Sequence, residues 1–167
     1  MTETVSTRTY RVEQSEADSL LQAIDRATPI REDGKIFHGY TTRNIHWNFR
    51  WNRASDGRCT LTRNNTQLSA EITLPELVTT GSPARREFSD YVSKLRLHEQ
   101  GHVQIARSAA QRIDAGIAAL PSMSSCPELE KTANQLGQRL IDQAKQEGRR
   151  YDEATGHGRT QGARLPR

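Results

Sequence analysis

The chain has 167 residues, of which 34% are hydrophobic and 26% are charged, so it is long enough for one domain with a modest core and a very polar surface. Its net charge of +4 comes from scattered basic residues, and only 5% of the residues are aromatic, which argues against a nucleic-acid-binding protein. No apolar run is long enough to span a membrane, and the polar start, residues 1–4, lacks the form of a signal peptide, as expected of a cytoplasmic protein or of a chain that begins after a removed signal.

The first part of the chain predicts a strand, a short helix and a second extended piece. Residues 7–12 alternate weakly, as a strand does. The sequence Ser15-Glu16-Ala17-Asp18 resembles a capping box that opens a helix to about Ala27. The pair Asp33-Gly34 then signals a turn, and apolar residues within 36–40 suggest the extended piece.

Residues 42–52 form the clearest predicted strand, because apolar and polar side chains alternate strictly. One face holds Ile45, Trp47, Phe49 and Trp51, and the other holds Asn44, His46, Asn48, Arg50 and Asn52. We therefore expect one buried face and one wet face. We interpret Trp47 and Trp51 as packing residues and His46 as a solvated residue that binds no ligand.

Two more strands are predicted after a turn at Ser55-Asp56-Gly57. They lie around Cys59 and Leu61, and from Leu68 to a stop at Pro75. The pair Asn64-Asn65 between them is typical of a turn or a bulge. Strands joined by such short turns predict an antiparallel meander.

Residues 82–120 predict one long helix, which follows a loop at residues 79–81. Ser82 can cap its start, Pro83 suits its first turn and Pro121 ends it. An apolar stripe follows one face of this helix and comprises Phe88, Val92, Leu95, Ala106, Ala109, Ile113, Ile117 and Leu120.

The stripe is interrupted by His98-Glu99-Gln100-Gly101-His102, which has the H-E-x-x-H form. Residues four apart lie on one face of a helix, so His98 and His102 can offer two ring nitrogens to one metal ion. Glu99 lies beside them and can serve as the base for an activated water. Polar residues on a core-facing stripe need partners, and a metal site is one way to supply them. The alternative is a surface helix that matches the pattern by chance.

The last part of the chain predicts a second long helix and a polar tail. Ser125-Cys126-Pro127-Glu128 has the form of another capping box, and the helix ends near Gly148. The tail, residues 151–167, has a composition typical of disorder. The expected fold is α+β: a small antiparallel sheet packs against two long antiparallel helices in a single zincin-like domain of residues 1–167, with residues 1–6 and 159–167 flexible.

The third metal ligand must come from outside the first long helix. A catalytic zinc usually has three protein ligands, and the metzincin extension is excluded because Ile105 and Ser108 occupy its positions. At about 1.5 Å per residue, an antiparallel second helix returns to the level of the histidines near its end. His157, between two glycines, is the first candidate there, followed by Glu147 and then Asp152.

The two cysteines, Cys59 and Cys126, match no zinc-ribbon spacing. In an oxidising compartment they can form one disulfide, and in a reducing cell they stay free thiols. The residues alone leave both possibilities open.

Taken together, these segments resemble the bacterial family called domain of unknown function 922, which is described as predicted secreted zinc-dependent proteases. The resemblance begins near Tyr10 and covers nearly the whole chain after it. The matching stretches are His38-Gly39-Tyr40-Thr41 through Trp47, the strand of Cys59, residues 98–102, Cys126 with the helix that follows it, and Tyr151-Asp152 through Thr155, His157 and Gly158. The resemblance implies export to the periplasm or the cell exterior and a Cys59–Cys126 disulfide.

The first expected function is zinc-dependent hydrolysis of peptide bonds in the cell envelope or outside the cell, with a peptide or protein as substrate. His98, His102 and His157 bind one Zn²⁺ per chain, and Glu99 transfers the proton. Asp152 accepts a hydrogen bond from a ligand histidine, and Tyr151 or a nearby arginine steadies the oxyanion. The alternative is a non-catalytic binding or scaffold module of the envelope whose zinc site is structural or vestigial.

Overall fold

The computed structural model describes residues 1–15, 17–32, 34–78 and 82–166. Several sequence expectations lie outside these residues: Glu16 of the first capping box, Asp33 of the first turn, the loop at 79–81 and the last residue of the tail. The side chains of Ser82 and Pro83, and with them the predicted cap of the long helix, lie outside the description as well.

The elements follow one another as strand, helix, four strands and two long helices. They are β1 (Thr2–Val12), α1 (Leu20–Ala27), β2 (Arg31–Glu32), β3 (Lys35–Ile36), β4 (Tyr40–Arg53), β5 (Cys59–Leu77), α2 (Ser82–Ala118), α3 (Cys126–Thr155) and a short 3₁₀ helix, Arg159–Gln161. The α+β class and the two long helices are confirmed. None of the helices in the described part of the chain is both long and apolar enough to cross a membrane.

Helix α1 begins later than the sequence predicted. Its N-cap is Ser19, whose hydroxyl accepts from the Gln22 amide at 3.2 Å, while Gln22 Oε1 accepts from the Ser19 amide at 3.0 Å. Ser15 instead donates to Asp18 Oδ2 at 2.7 Å. The capping box at Ser15 was therefore wrong by about one turn, because the same Ser-x-x pattern occurs twice in eight residues.

The main sheet has the strand order β1-β5-β4, and β2 and β3 form a separate antiparallel pair. Strands β4 and β5 form an antiparallel hairpin. Strand β1 runs parallel to β5, since Thr9 bonds Glu76 and, further along both strands, Val12 O accepts from Val78 N at 3.0 Å. The sheet is mixed, so the purely antiparallel meander was wrong.

The two strands predicted after Cys59 are one continuous strand, β5, which runs through Pro75 to Leu77. Its inward-facing residues have odd numbers at Cys59 and Leu61 but even numbers from Asn64 onward. The switch from odd to even inward-facing residues requires one extra residue in the strand. Strand β5 therefore contains a β-bulge at the pair Thr62-Arg63, both of which are exposed. The bulge was correctly anticipated near this point, and the alternative turn at Asn64-Asn65 was wrong.

The chain folds into two compact units. The first comprises residues 1–4, 43–69 and 104–149, and the second comprises residues 5–42, 70–103 and 150–167. Both units are assembled from three separate segments, so neither is a continuous stretch of sequence.

In the first unit, α2 and α3 pack on the apolar face of the β4–β5 hairpin. Ile113, Ile117 and Ala133 are fully buried there, with Trp47 and Phe49 against them. The predicted alternation of β4 is confirmed, although Trp51 is 39% exposed. The two helices are antiparallel, because Leu136 faces Gly116 while the later Gln143 bonds the earlier Arg112. A Cys59–Cys126 disulfide ties β5 to α3, as the resemblance implied.

In the second unit, α1 and the first half of α2 pack on the sheet. The buried core comprises Val12, Leu20, Ala23, Ile24, Ala70, Ile72, Leu74, Phe88, Tyr91, Leu95, Val103 and Ala163. The tail is ordered, contrary to its composition: α3 continues past Gly148 to Thr155, a 3₁₀ helix follows, and Ala163 is 7% exposed. These extra turns bring the polar tail residues into the same unit as His98 and His102.

Candidate metal centre

Three side chains of the second unit converge on one point. His98 and His102 lie one turn apart on α2, and Asp152 comes from the last turns of α3. Their ligand atoms all lie within 4.8 Å of one another. Asp152 Oδ1 is 3.2 Å from His98 Nε2 and 2.9 Å from His102 Nε2, so two imidazoles and one carboxylate offer a set of donors that suits a divalent metal ion.

The electrostatics of the group favour an ionised carboxylate between the two rings. Burial alone would raise the pKa of Asp152, but hydrogen bonds from His102 and His98 and the positive charge of His102 and His157 hold that pKa well below its usual range. Burial lowers the pKa of His98, yet Asp152 and the charge of Glu99 outweigh it and raise the pKa. Asp152 is therefore charged at neutral pH, as a metal ligand must be.

The far side of the His98 ring is held by the tail. Nδ1 of His98 lies 3.0 Å from Gln161 Oε1 and 3.4 Å from Thr155 Oγ1. The Gln161 amide is oriented by its other end, where Nε2 donates to the Tyr151 hydroxyl at 3.0 Å. An oxygen facing Nδ1 favours a proton on that atom, so Nε2, which faces Asp152, can offer its lone pair to a metal once its own proton is released.

Tyr151 connects the two long helices at this level. Its ring stacks on His98 with 4.9 Å between centroids and 8° between planes, and its hydroxyl donates to the His98 carbonyl at 3.1 Å. A Cβ at Gly101 would clash with that hydroxyl and with the Tyr151 ring, so the close packing of Tyr151 depends on glycine there. These bonds suit a residue that positions His98, and a role for Tyr151 in steadying an oxyanion stays a prediction.

His157 lies beside the converging group but outside it. Its Nδ1 is 3.6 Å from Asp152 Oδ1, and its side chain is 51% exposed. Three consecutive residues with positive φ, Gly156, His157 and Gly158, turn the chain here, as the flanking glycines suggested. The second candidate, Glu147, pairs with Arg112 at 3.5 Å. The geometry thus favours Asp152, the last of the three candidates, over His157 and Glu147.

Glu99 is a buried carboxylate next to this group, with 4% exposure. Its Oε2 accepts a hydrogen bond from the Thr41 hydroxyl at 2.7 Å. A Cβ at Gly39 would lie 2.8 Å from Oε1, so the chain passes directly over the carboxylate. Burial raises the pKa of Glu99, although the bond from Thr41 and the charge of His102 oppose this.

The segment over Glu99 is fixed at its start by His38. Nε2 of His38 bonds Asp25 at 2.7 Å, Nδ1 bonds the Tyr91 hydroxyl at 2.6 Å, and the Tyr10 hydroxyl donates to the His38 carbonyl at 2.9 Å. Both ring nitrogens therefore have protein partners. The segment then continues to Thr41, which bonds Glu99.

Residue-level reasoning missed three of these supporting contacts. Nothing in the sequence marks Gln161, because its tail has the composition of a disordered segment. His38 and Thr41 carried a signal only through the family resemblance, which included the stretch from His38 to Trp47. Their partners, such as Asp25 and Tyr91, are distant in sequence and became visible only in the fold.

Comparison with known proteins gives one match. The family model described as bacterial protein of unknown function (DUF922) matches residues 7–158. Neither curated proteins nor solved structures give a significant match. The matched stretch includes His38, Glu99, the three converging side chains and both cysteines, whereas Gln161 lies just beyond it. Because the match covers most of the chain, this protein belongs to the DUF922 family.

Proposed function

We propose that this protein is a zinc-dependent metallopeptidase that hydrolyses peptide bonds in the bacterial cell envelope or outside the cell. The observation that carries the proposal is the convergence of His98, His102 and Asp152 next to the buried carboxylate of Glu99. A purely structural zinc site has no need of such a carboxylate.

His98, His102 and Asp152 would hold one Zn²⁺ per chain. Two imidazoles and a carboxylate match a known type of catalytic donor set, which leaves a further coordination position open. The bound ion would lower the pKa of water and polarise the scissile carbonyl. The exposed His157 imidazole then serves as a neighbour of Asp152 rather than as the third ligand.

Glu99 moves the proton in this proposal. It accepts a proton from the attacking water while the water oxygen forms a bond to the carbonyl carbon, and it then donates this proton to the amide nitrogen as the C–N bond breaks. The products are a carboxylic acid and an amine, and at neutral pH the proton of the acid passes to the amine or to solvent. The raised pKa of Glu99 supports the role, because a base that must later act as an acid works best with a pKa near the working pH.

The disulfide supports an exported protein. Disulfides persist in oxidising compartments such as the periplasm or the cell exterior, and are rare in the reducing cytosol. The bond between Cys59 and Cys126 therefore agrees with the periplasmic or secreted location that the resemblance implied.

The test is Glu99→Gln, assayed by mass spectrometry for cleavage of a mixed peptide library and for bound zinc. We expect the wild type to cleave and Glu99→Gln to lose at least about 100-fold in rate, which is the low end of general-base catalysis, while retaining one zinc per chain. Glu130→Gln, at an exposed position of α3, is the matched control and should behave as the wild type. Unchanged cleavage by Glu99→Gln would overturn the mechanism.

A second outcome separates the enzyme from a binding module. If the zinc-loaded wild type binds the library peptides or envelope fragments without cleaving any of them, the site is structural or vestigial and the proposal fails. In that case Glu99→Gln and Glu130→Gln would be indistinguishable from the wild type in every assay.

A further inference from the structure

The solvent-facing side of the β4–β5 hairpin carries side chains of one chemical kind, and the proposed function does not use them. Every outward position from Asn44 to Asn52 on β4, and from Thr60 to Ser69 on β5, carries an uncharged polar or a basic side chain. Not one of them is a carboxylate. Such a face presents hydrogen-bond groups to solvent together with positive charge.

The hairpin also carries the net charge of the chain. Residues 43–69 contain five arginines and one aspartate, so their formal charge equals the +4 of all 167 residues. The aspartate, Asp56, pairs with Arg58 at 2.7 Å. Residues 43–69 therefore hold no other carboxylate that could neutralise the outward-facing Arg50 and Arg63.

The β-bulge places these two arginines together. Counting from the hydrogen bond between Ala54 N and Arg58 O, the pair Thr62-Arg63 lies opposite Arg50. In the part of the chain that the structure describes, no carboxylate lies within ion-pair distance of Arg50 or Arg63. Like charges opposite each other destabilise a strand pair, so this arrangement has a cost that an anionic ligand would remove.

The two arginines line a cavity of 310 Å³ with Asn48, Phe49, Asn64 and Asn65. The bulge that shapes it is anchored from behind, because Asn64 Nδ2 donates to the Asp114 carbonyl at 2.9 Å and to its carboxylate at 3.1 Å. The side chains of Asn48 and Asn65 point to the outward face, where their amides can both donate and accept. The cavity thus combines two guanidinium groups with neutral amides on a fixed piece of backbone.

We propose that this cavity binds an anionic sugar, meaning a sugar unit that carries a carboxylate or a phosphate. Guanidinium groups bind both kinds of oxyanion through paired hydrogen bonds. Asn48 and Asn65 then form hydrogen bonds with the sugar hydroxyls, because a hydroxyl, like an amide, can both donate and accept a hydrogen bond. The volume lies at the lower end of small-molecule sites, and a bare anion would leave most of it without partners.

The experiment is an NMR titration of the full chain, which follows the backbone amides of residues 48–50 and 62–65 and the side-chain amides of Asn48 and Asn65. Glucuronate and glucose 6-phosphate are the two anionic probes, and glucose and inorganic phosphate are the comparisons. We expect saturable shifts with at least one anionic sugar. The probe that binds more tightly shows whether the site prefers a carboxylate or a phosphate. Binding to glucose and to inorganic phosphate should be at least tenfold weaker.

Variants test whether the two arginines form the site. Arg50→Gln and Arg63→Gln should each weaken binding at least tenfold, with other amide signals unchanged as evidence of an intact fold. Arg53→Gln removes the same charge at an exposed position that does not line the cavity and should bind as the wild type. An equal loss in Arg53→Gln would mean diffuse charge attraction and would overturn the site. Absence of any saturable shift, or equal affinity for inorganic phosphate and glucose 6-phosphate, would overturn the sugar ligand.

Discussion

Two histidine clusters of the same compact unit differ in how their ring nitrogens are used. His38 has Asp25 on Nε2 and Tyr91 on Nδ1, so both nitrogens are occupied by protein groups. In the other cluster, the Nε2 atoms of His98 and His102 both approach one oxygen of Asp152. The first arrangement holds a ring in place, and the second brings together three donors of the kind that suit a metal ion.

The difference shows how the surrounding bonds decide what a histidine can do. A histidine and an aspartate in contact occur in both clusters, so the pair by itself does not indicate a metal. What distinguishes the second cluster is that two imidazoles, from His98 and His102, approach the same carboxylate oxygen of Asp152. The two clusters are also connected, because the segment that begins at His38 ends at Thr41 on Glu99.

The largest expected effect comes from Asp152→Asn. If Asp152 is a ligand, the amide removes the negative charge between the two rings, and zinc affinity should fall by more than about 100-fold, since loss of outer contacts alone costs about 10- to 100-fold. Competition titration against a chelator measures the affinity. Glu153→Gln changes the exposed neighbour and should have no effect.

His157→Ala decides between the two candidate third ligands. We expect it to retain most of the zinc affinity, because its ring lies beside Asp152 and not within the converging group. Zinc lost in His157→Ala but kept in Asp152→Asn would reverse the assignment and restore the ligand set that sequence reasoning favoured.

Gln161→Leu should give the next largest effect. Leucine fills a similar volume but offers no acceptor to His98 Nδ1, so zinc affinity should fall by about 10- to 100-fold. Gln161→Glu keeps an acceptor and should retain more affinity than Gln161→Leu. Equal affinity of Gln161→Leu and the wild type would show that the tail does not orient His98.

These contacts also show where reasoning from the sequence stops. The long helix with His98 and His102 was predicted from local periodicity, and the expected level of the tail was correct because helix rise is nearly constant. The parallel pairing of β1 with β5 was missed, since it joins residues more than sixty positions apart and leaves no local pattern. Gln161 was missed, and Asp152 was ranked last of the three candidate ligands, because a polar, glycine-rich tail looks disordered until its partners on α2 are known.

His38→Gln tests the other histidine cluster, in which we expect a role in stability and none in metal binding. Glutamine cannot reproduce both ring bonds, so we expect a loss of about 1–3 kcal/mol in the free energy of unfolding but one zinc per chain as in the wild type. Chemical denaturation and metal analysis measure the two quantities. His46→Gln, at an exposed position of β4, is the control, and loss of zinc from His38→Gln would contradict the separation of the two clusters.

The smallest effect concerns the pH dependence of the His38 cluster. Burial raises the pKa of Tyr10 from 10.0 to about 12, although a bond with Thr28 opposes the shift. Because the pKa in the folded state lies above the ordinary value, the neutral hydroxyl stabilises the fold fully below pH 10, and this contribution is lost as the pH rises through about 12. The free energy of unfolding should therefore decline over this range.

Tyr10→Phe tests the origin of that decline. It removes the hydroxyl that donates to the His38 carbonyl, so at neutral pH it should cost about 0.5–1.5 kcal/mol, and its decline at alkaline pH should be shallower than that of the wild type. Ultraviolet absorbance of tyrosinate, compared between the wild type and the variant, gives the titration of Tyr10 directly. Tyr40→Phe changes an exposed tyrosine and should leave the alkaline decline as it is. A Tyr10 that titrates near pH 10 would mean that its hydroxyl is solvated and that the His38 cluster is open to water. The contrast between a closed histidine cluster and the cluster proposed to bind a metal would then lose its physical basis.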